Sequence, residues 1–238
     1  MPETVRGGGS GVLGRLLGAR APSRFAWPVH LSLEAGRWGL VRGAAMVVLR
    51  PLRVEDEPRW STLRLADDAR LRPWEATVPP GGGEELAGFR RYVRTQDRRA
   101  RRGEAMILAV EVDGVLAGQL CVDPIQWGSL RSAQVGYWVG ADHEGRGVMR
   151  LAVAMILDHL LGPGVGLHRV EINVRPENER SLRLCRSLGL RQEGVRHHYM
   201  HINGAWADHV SFAVVAEERS GERSGGGAFV QELIRQQR

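Results

Sequence analysis

The stretch Val148–Leu161 (VMRLAVAMILDHLL) constrains the fold more than any other part of the chain. It is apolar on most faces, contains no proline and is long enough for about four helical turns. A helix of that character is buried, so other layers must cover it. The flanking sequence reads as strands. Val47–Arg50, Met106–Val112, Val115–Val122 and Ala133–Val139 precede the helix, with a turn at Asp113-Gly114. Arg169–Val174 alternates after it, and Arg191–Ile202 and Trp206–Val215 close the region around the turn Asn203-Gly204. Further helices are expected after the N-cap candidate Asp56 with Pro58 in the first turn, over Glu84–Arg102, and over Glu179–Leu188 with Gly189 just beyond. Leu71–Gly83 is a loop by its Pro and Gly content. The order β-α-α-β-β-β-α-β-α-β-β predicts one α/β domain of mixed α+β type over residues 26–218.

Residues 1–25 are rich in Gly and Arg and are expected to form a disordered arm; Arg15 breaks the apolar run that a secretory signal would need. Residues 219–238 begin as a Gly/Ser linker and end, from Ala228, in a short helix with Phe229, Leu233 and Ile234 on one face. That tail is expected to be flexible and its helix to fray. Of 238 residues 43% are hydrophobic and 25% charged, enough for a substantial core. No window approaches about 18 uninterrupted apolar residues, which excludes a membrane-spanning helix, and no membrane partner is expected. Two cysteines, Cys121 and Cys185, are too few for a disulfide framework or a structural zinc site. A reduced, cytoplasmic protein without a metal is the expectation. All 33 basic residues are arginine, against 27 acidic residues, for a net charge of +6. Arginine keeps its proton, so no lysine nucleophile or Schiff base is available. The positive balance favours anionic partners such as nucleotides or RNA.

The chemistry concentrates in two places. Tyr137-Trp138-Val139 ends a strand, and Gly140–Gly147 leads directly into the buried helix. Glycines at 145 and 147 let backbone approach a ligand, and the first N–H groups of the helix have no internal partner. With the helix dipole they suit a pyrophosphate. The Lys-Ser/Thr of a Walker loop is absent, and Arg150 stands where a dinucleotide fingerprint needs its third glycine. The second place is Asn178-Glu179-Arg180-Ser181, which starts the short helix ending at Leu188-Gly189; Asn178 or Ser181 could equally act as a helix cap.

Gly145-Arg-Gly-Val-Met149, Asn178-Glu-Arg-Ser181, Leu188-Gly-Leu190, Glu193-Gly194 and Ile202-Asn-Gly-Ala-Trp-Ala-Asp208-His209 stand in the order and spacing of the GNAT acetyltransferases. The chain most resembles the Rim-type ribosomal-protein alanine N-acetyltransferases, over about residues 47–216, with Leu49–Leu52 and Leu71–Glu75 also similar. The resemblance implies a twisted, splayed mixed sheet of about seven strands flanked by about four helices. It implies acetyl-CoA as co-substrate. The pantetheine would pair with Tyr137, Trp138 and Val139, and the pyrophosphate would lie on Glu144, Gly145, Arg146, Gly147, Val148, Met149 and Arg150. Asn178 would orient the pantetheine arm and Ser181 would be the acid that protonates the leaving thiolate.

The sequence departs from the family at Asp142, where Gln or Arg often opens the loop, and at Met200, where a glutamate is one proposed base. The base is left among Glu75, Tyr199, His198 and a relayed water, with Glu75 placed first and Glu193 read as structural. The implied acceptor is the N-terminal α-amine of a protein, a ribosomal one by resemblance, with the ribosome and a homodimer as implied partners. A small amine acceptor, and a CoA-binding module without turnover, are the alternatives. Arg90, Arg91, Arg94, Arg98, Arg99, Arg101 and Arg102 read either as a solvated helix face or as a contact for ribosomal RNA. His197 and His198, adjacent on a strand, face opposite ways and cannot share a metal. Trp74, Trp127, Trp138 and Trp206 read as core or cleft lining, and Cys185 as packing.

Overall fold

The computed structural model describes residues 25–82, 88–220 and 229–237. Residues 1–24 of the expected N-terminal arm and the start of the helix expected from Glu84 lie outside the described residues; Phe25, placed last in that arm, is buried in the main core. Eight strands form one sheet: β1 (Leu31–Leu33), β2 (Val47–Pro51), β3 (Met106–Val112), β4 (Val115–Gln126), β5 (Ser132–Val139), β6 (Arg169–Val174), β7 (Arg191–Ile202) and β8 (Ala205–Val215). Their order is β1-β2-β3-β4-β5-β6-β8-β7. The strand beyond the expected seven is β1, whose three residues are too short to show an alternation in sequence. Seven α-helices are described where about four were expected: α1 (Glu57–Ala66), α2 (Asp68–Leu71), α3 (Phe89–Arg101), α4 (Val148–Leu161), α5 (Glu179–Ser187), α6 (Ala216–Ser220) and α7 (Phe229–Arg235). The additions are single turns and the C-terminal α7.

Among the described pairings β5–β6 alone is parallel, and it is short: Ser132, Ala133 and Gln134 face Arg169, Val170 and Glu171. Beyond Gln134 the strands part. Val135–Val139 stay on β4, as far as Val139 opposite Gly118, while Ile172–Val174 stay on β8. The sheet therefore opens into a cleft whose closed end is Gln134/Glu171. One face of the sheet carries the main core, in which Leu49, Leu108, Leu120, Val135, Ile172 and Phe212 pack with α4. Eleven α4 residues are buried, as its all-round apolar sequence demands. The other face carries a smaller cluster under α1 and α3, built on Leu52, Leu63, Val93, Ile107, Ala109 and Leu116.

Two local expectations are corrected. Asp56 does not cap α1 with its side chain; its carboxylate takes Arg50 Nη2 at 2.7 Å and the Arg53 amide at 2.7 Å. A bidentate arginine, itself buried at 6% exposure, outcompetes a single cap bond. The C-terminal helix docks instead of fraying. Leu233 and Ile234 are buried in the main core, and the Asp158 carboxylate of α4 accepts the Phe229 and Val230 amides at 2.9 and 3.0 Å. A carboxylate at the start of α7 satisfies amides that a helix of seven residues leaves unpaired.

Candidate active site

The loop at the open end of the cleft is fixed by its neighbours. Gly147 precedes α4 at φ +93° and supplies no side-chain cap. A Cβ there would stand 2.6 Å from the Leu40 carbonyl oxygen, so glycine is required by the close approach of the 40–43 segment. That segment and the loop interlock: the Arg42 amide donates to Arg146 O at 3.0 Å, Arg146 Nε to Arg42 O at 2.8 Å, and Arg42 Nη2 to Gly145 O at 2.7 Å. The Arg146 guanidinium is thus spent on backbone carbonyls. Val148 and Met149 bury their side chains and offer only amides, whereas the side chain of Arg150, half-buried on the first turn, makes no hydrogen bond or ion pair among the described residues. An uncapped helix start next to a free guanidinium fits a pyrophosphate.

Glu144 turns its carboxylate outward between two arginines, Arg180 of α5 at 2.5 Å and Arg70 of α2 at 3.3 Å. Arg70 also donates to Val139 O at 2.6 Å, capping the last carbonyl of β5 where the cleft opens. Asp67, nearly buried, holds Arg70 at 2.6 Å and the Ala141 amide at 2.8 Å. The Arg70–Asp67 pair, invisible to motif reasoning, sets the exit of β5.

Along the cleft, Tyr137 sends its ring to the α4–α5 face. Its hydroxyl is buried beside Ser181 and Cys185 without a well-formed hydrogen bond, and burial drives the phenol far above its ordinary pKa. The Tyr137 side chain therefore meets the predicted acid, while Trp138 turns to the opposite face, edge-on to Trp60 at 6.2 Å. Asn178 caps α5 by accepting the Ser181 amide at 3.2 Å, which fixes the backbone of Ser181 at the first turn. Cys185 is fully buried and burial pushes its thiol up to about 12, as packing requires.

At the closed end, four strands contribute to one polar cluster. The Gln134 amide lies 3.0 Å from the Tyr199 hydroxyl, Asn173 Nδ2 donates to Gln134 Oε1 at 3.4 Å, and Ser211 Oγ donates to Asn173 Oδ1 at 2.6 Å. His209 packs edge-on to Tyr199 at 5.6 Å between ring centres and is 3% exposed. Its Nδ1 lies 3.0 Å from Ala207 O, so Nδ1–H donates there and Nε2 is left as an acceptor. Burial holds this imidazole below the usual histidine range. Gln134, Asn173 and Ser211 carry no signal in the sequence, and His209 appears there only as the end of the Ile202–His209 motif, because pairing across the splay, not spacing along the chain, unites them.

The remaining base candidates stand apart. The Glu75 carboxylate pairs with Arg64, whose guanidinium lies 5.3 Å from the Trp138 ring centre and 5.7 Å from that of Trp60. The Glu75 carbonyl accepts the Asn203 amide at 2.9 Å, which ties the expected loop to the β7–β8 turn. His198 sits exposed at φ +47° in a bulge between Arg196 and Met200, so the regular alternation expected for His197 and His198 is broken. Asp208 secures that bulge, accepting the His198 amide at 2.8 Å and lying 2.8 Å from His197 Nδ1. Met200 pairs with Ala207. Glu193 is held by Arg169 and Arg191, which pull its pKa down to about 2. Among the described residues no group of three or more His, Cys, Asp or Glu is arranged to hold a metal ion, and no helix is long and apolar enough to cross a membrane.

The family model described as an acetyltransferase (GNAT) domain matches residues 46–191. The Bacillus subtilis protein YjcK, named as an N-acetyltransferase, is 34% identical over 132 residues, 55% of this chain and 72% of its own. The Escherichia coli [ribosomal protein uS5]-alanine N-acetyltransferase is 32% identical over 91 residues, 38% of this chain and 46% of its own. Among solved structures, Mycobacterium smegmatis RimJ in complex with a CoA-disulfide is similar at TM-score 0.76 and 34% identity, covering 88% of this chain and 95% of that one.

Proposed function

The chain belongs to the GNAT acetyltransferases, and from that premise we propose that it moves the acetyl group of acetyl-CoA directly onto the N-terminal α-amine of a ribosomal protein in the cytoplasm. The observation that carries the reading is the cleft between β5 and β6: an uncapped helix start at its mouth, and the polar cluster Gln134–Asn173–Tyr199–Ser211 at its closed end. Similarity to a CoA-bound RimJ supports acetyl-CoA as the donor, and similarity to an enzyme named for ribosomal protein uS5 supports the acceptor class.

The donor supplies an activated thioester; the chain supplies position and protons. The amides of Val148, Met149 and Arg150, with the Arg150 guanidinium, hold the pyrophosphate. The free edge of Val135–Val139 aligns the pantetheine toward Gln134. The acceptor enters from the α1 face, along the wall made by Trp60, Trp138, Arg64 and Glu75. One ammonium proton first leaves through the Tyr199 hydroxyl and water to His209 Nε2, a base kept neutral by burial, and the lone pair so freed on the nitrogen bonds to the acyl carbon. When the C–S bond breaks, Ser181 Oγ gives a proton to the thiolate, with the Tyr137 hydroxyl beside it, and the proton that the nitrogen sheds on becoming an amide returns through solvent to Ser181. Glu75, already paired with Arg64, positions the acceptor wall.

The test is thiol release from acetyl-CoA with peptides that begin with Ala or Ser, followed by mass spectrometry of the product. The reading expects a single acetyl on the α-nitrogen. Turnover confined to small amines would replace the acceptor class, and binding without turnover on any amine would reduce the chain to a CoA-binding module.

A further inference from the structure

Helix α3 carries six arginines against one aspartate in 13 residues, close to the whole excess of +6 on the chain. Elsewhere several arginines are held by carboxylates: Arg50 by Asp56 and Glu111, Arg169 by Glu171 and Glu193, Arg196 by Glu171. On α3 it does so at only one end of the helix. Arg99 is held by Asp123 and Arg101 by Asp97. Arg91 and Arg94 are exposed and make no ion pair among the described residues, and Arg98 bonds only to Thr95 Oγ1 at 3.2 Å. Arg90 has a single loose contact, 3.6 Å to the exposed Glu57.

These arginines do not radiate separately into solvent. Arg90, Arg91, Arg94 and Arg98 line one open groove between α3 and the end of β2, and Arg53 lines it from the opposite bank. Among the described residues Asp97 is the only carboxylate lining the groove, and it is already engaged by Arg101 Nε at 2.9 Å and Trp27 Nε1 at 2.8 Å. Of its apolar lining, Leu52 and Val93 are buried and Pro51 is half-buried, and none of the exposed large hydrophobic side chains lies on α3. A protein partner needs an apolar or aromatic anchor, which this groove lacks. A polyphosphate backbone needs only a run of positive charge. From Arg91 to Arg98 the helix rises about 10 Å, enough to follow several consecutive phosphates.

We propose that the groove between α3 and the end of β2 binds the phosphate backbone of RNA, independently of base sequence. The choice of RNA among polyanions rests on the ribosomal reading above. The groove lies on the sheet face that also carries α1, so RNA seated in it lies on the side from which the acceptor enters.

The experiment is fluorescence anisotropy of a labelled RNA duplex with the full chain at several salt concentrations, alongside peptide acetylation. Four guanidiniums on phosphates of a duplex give a log–log salt slope of about −3.6. Replacing Arg53, Arg91, Arg94 and Arg98 together by Gln should remove most of that slope and weaken binding at least about tenfold, with peptide turnover unchanged. Replacement of the same four by Lys should keep both, and Arg94→Gln alone should lower the slope by about one. The single variant decides the matter if the fourfold one does not fold. No RNA binding by the unmodified chain, a slope indifferent to these variants, or equal displacement of RNA by polyglutamate would overturn the proposal. Because turnover is read separately, such a failure leaves the acetyltransferase reading standing.

Discussion

Gly147→Ala should separate two costs that the structure places on one backbone position. The residue sits at φ +93°, so any L side chain carries a conformational cost of about 1–2 kcal/mol. Its Cβ would also stand 2.6 Å from Leu40 O, and backbone cannot yield as a flexible side chain would. Relieving that overlap moves the 40–43 segment and strains the bonds from Arg42 N and Arg146 Nε that lock it to the loop, adding about 1–3 kcal/mol. Gly145→Ala is the control: its φ is +66°, but the nearest atom to a Cβ is the far end of Arg42 at 4.0 Å, so only the conformational cost applies. Urea unfolding should show Gly147→Ala losing more stability than Gly145→Ala by about 1–3 kcal/mol. Titration calorimetry should show it binding acetyl-CoA at least about tenfold more weakly than the unmodified chain, about 1.4 kcal/mol. Equal midpoints for the two variants would refute the close-approach reasoning, and unchanged acetyl-CoA affinity would remove the pyrophosphate from this loop.

Ser181→Ala and His209→Gln should each lower kcat by roughly 10²-fold, at the low end of acid–base effects, with the KM for acetyl-CoA little changed; steady-state kinetics checks both. Leu233→Ala should destabilise the fold by about 2–5 kcal/mol in urea unfolding, because α7 docks that side chain in the core. His143, His159 and His209 are all held below the ordinary histidine value by burial. The unfolded chain therefore takes up protons that the fold resists, so stability is full above about pH 6.5 and declines as pH falls below it. Urea midpoints at pH 7.5 and 5.5 should show that loss, and His159→Gln should lessen it.

The strands and the long helices were legible because each follows a simple period or a turn signal: Asp113-Gly114 and Asn203-Gly204 fall at their hairpins, with positive φ at all four residues. α4 announced itself by being apolar all round. The open end of the cleft was legible for the same reason, since glycine before a helix has a local physical meaning. Its closed end was not. Gln134 and Asn173 are ordinary polar strand residues until β5 and β6 part beyond Glu171 and leave them facing each other. His209 becomes a candidate base only when the hairpin lays it against Tyr199. β1 has too few residues to show a pattern, and α7 looked free because its partner, Asp158, lies 71 positions away.

Hydrogen exchange of the full chain with and without acetyl-CoA tests the central claim most directly. The account predicts protection at two separated places at once, the amides of Val148–Arg150 and the free edge of Val135–Val139, with α3 and its groove unchanged. Protection absent from both places, or concentrated on α3, would mean that the β5–β6 cleft is not where the acetyl donor binds.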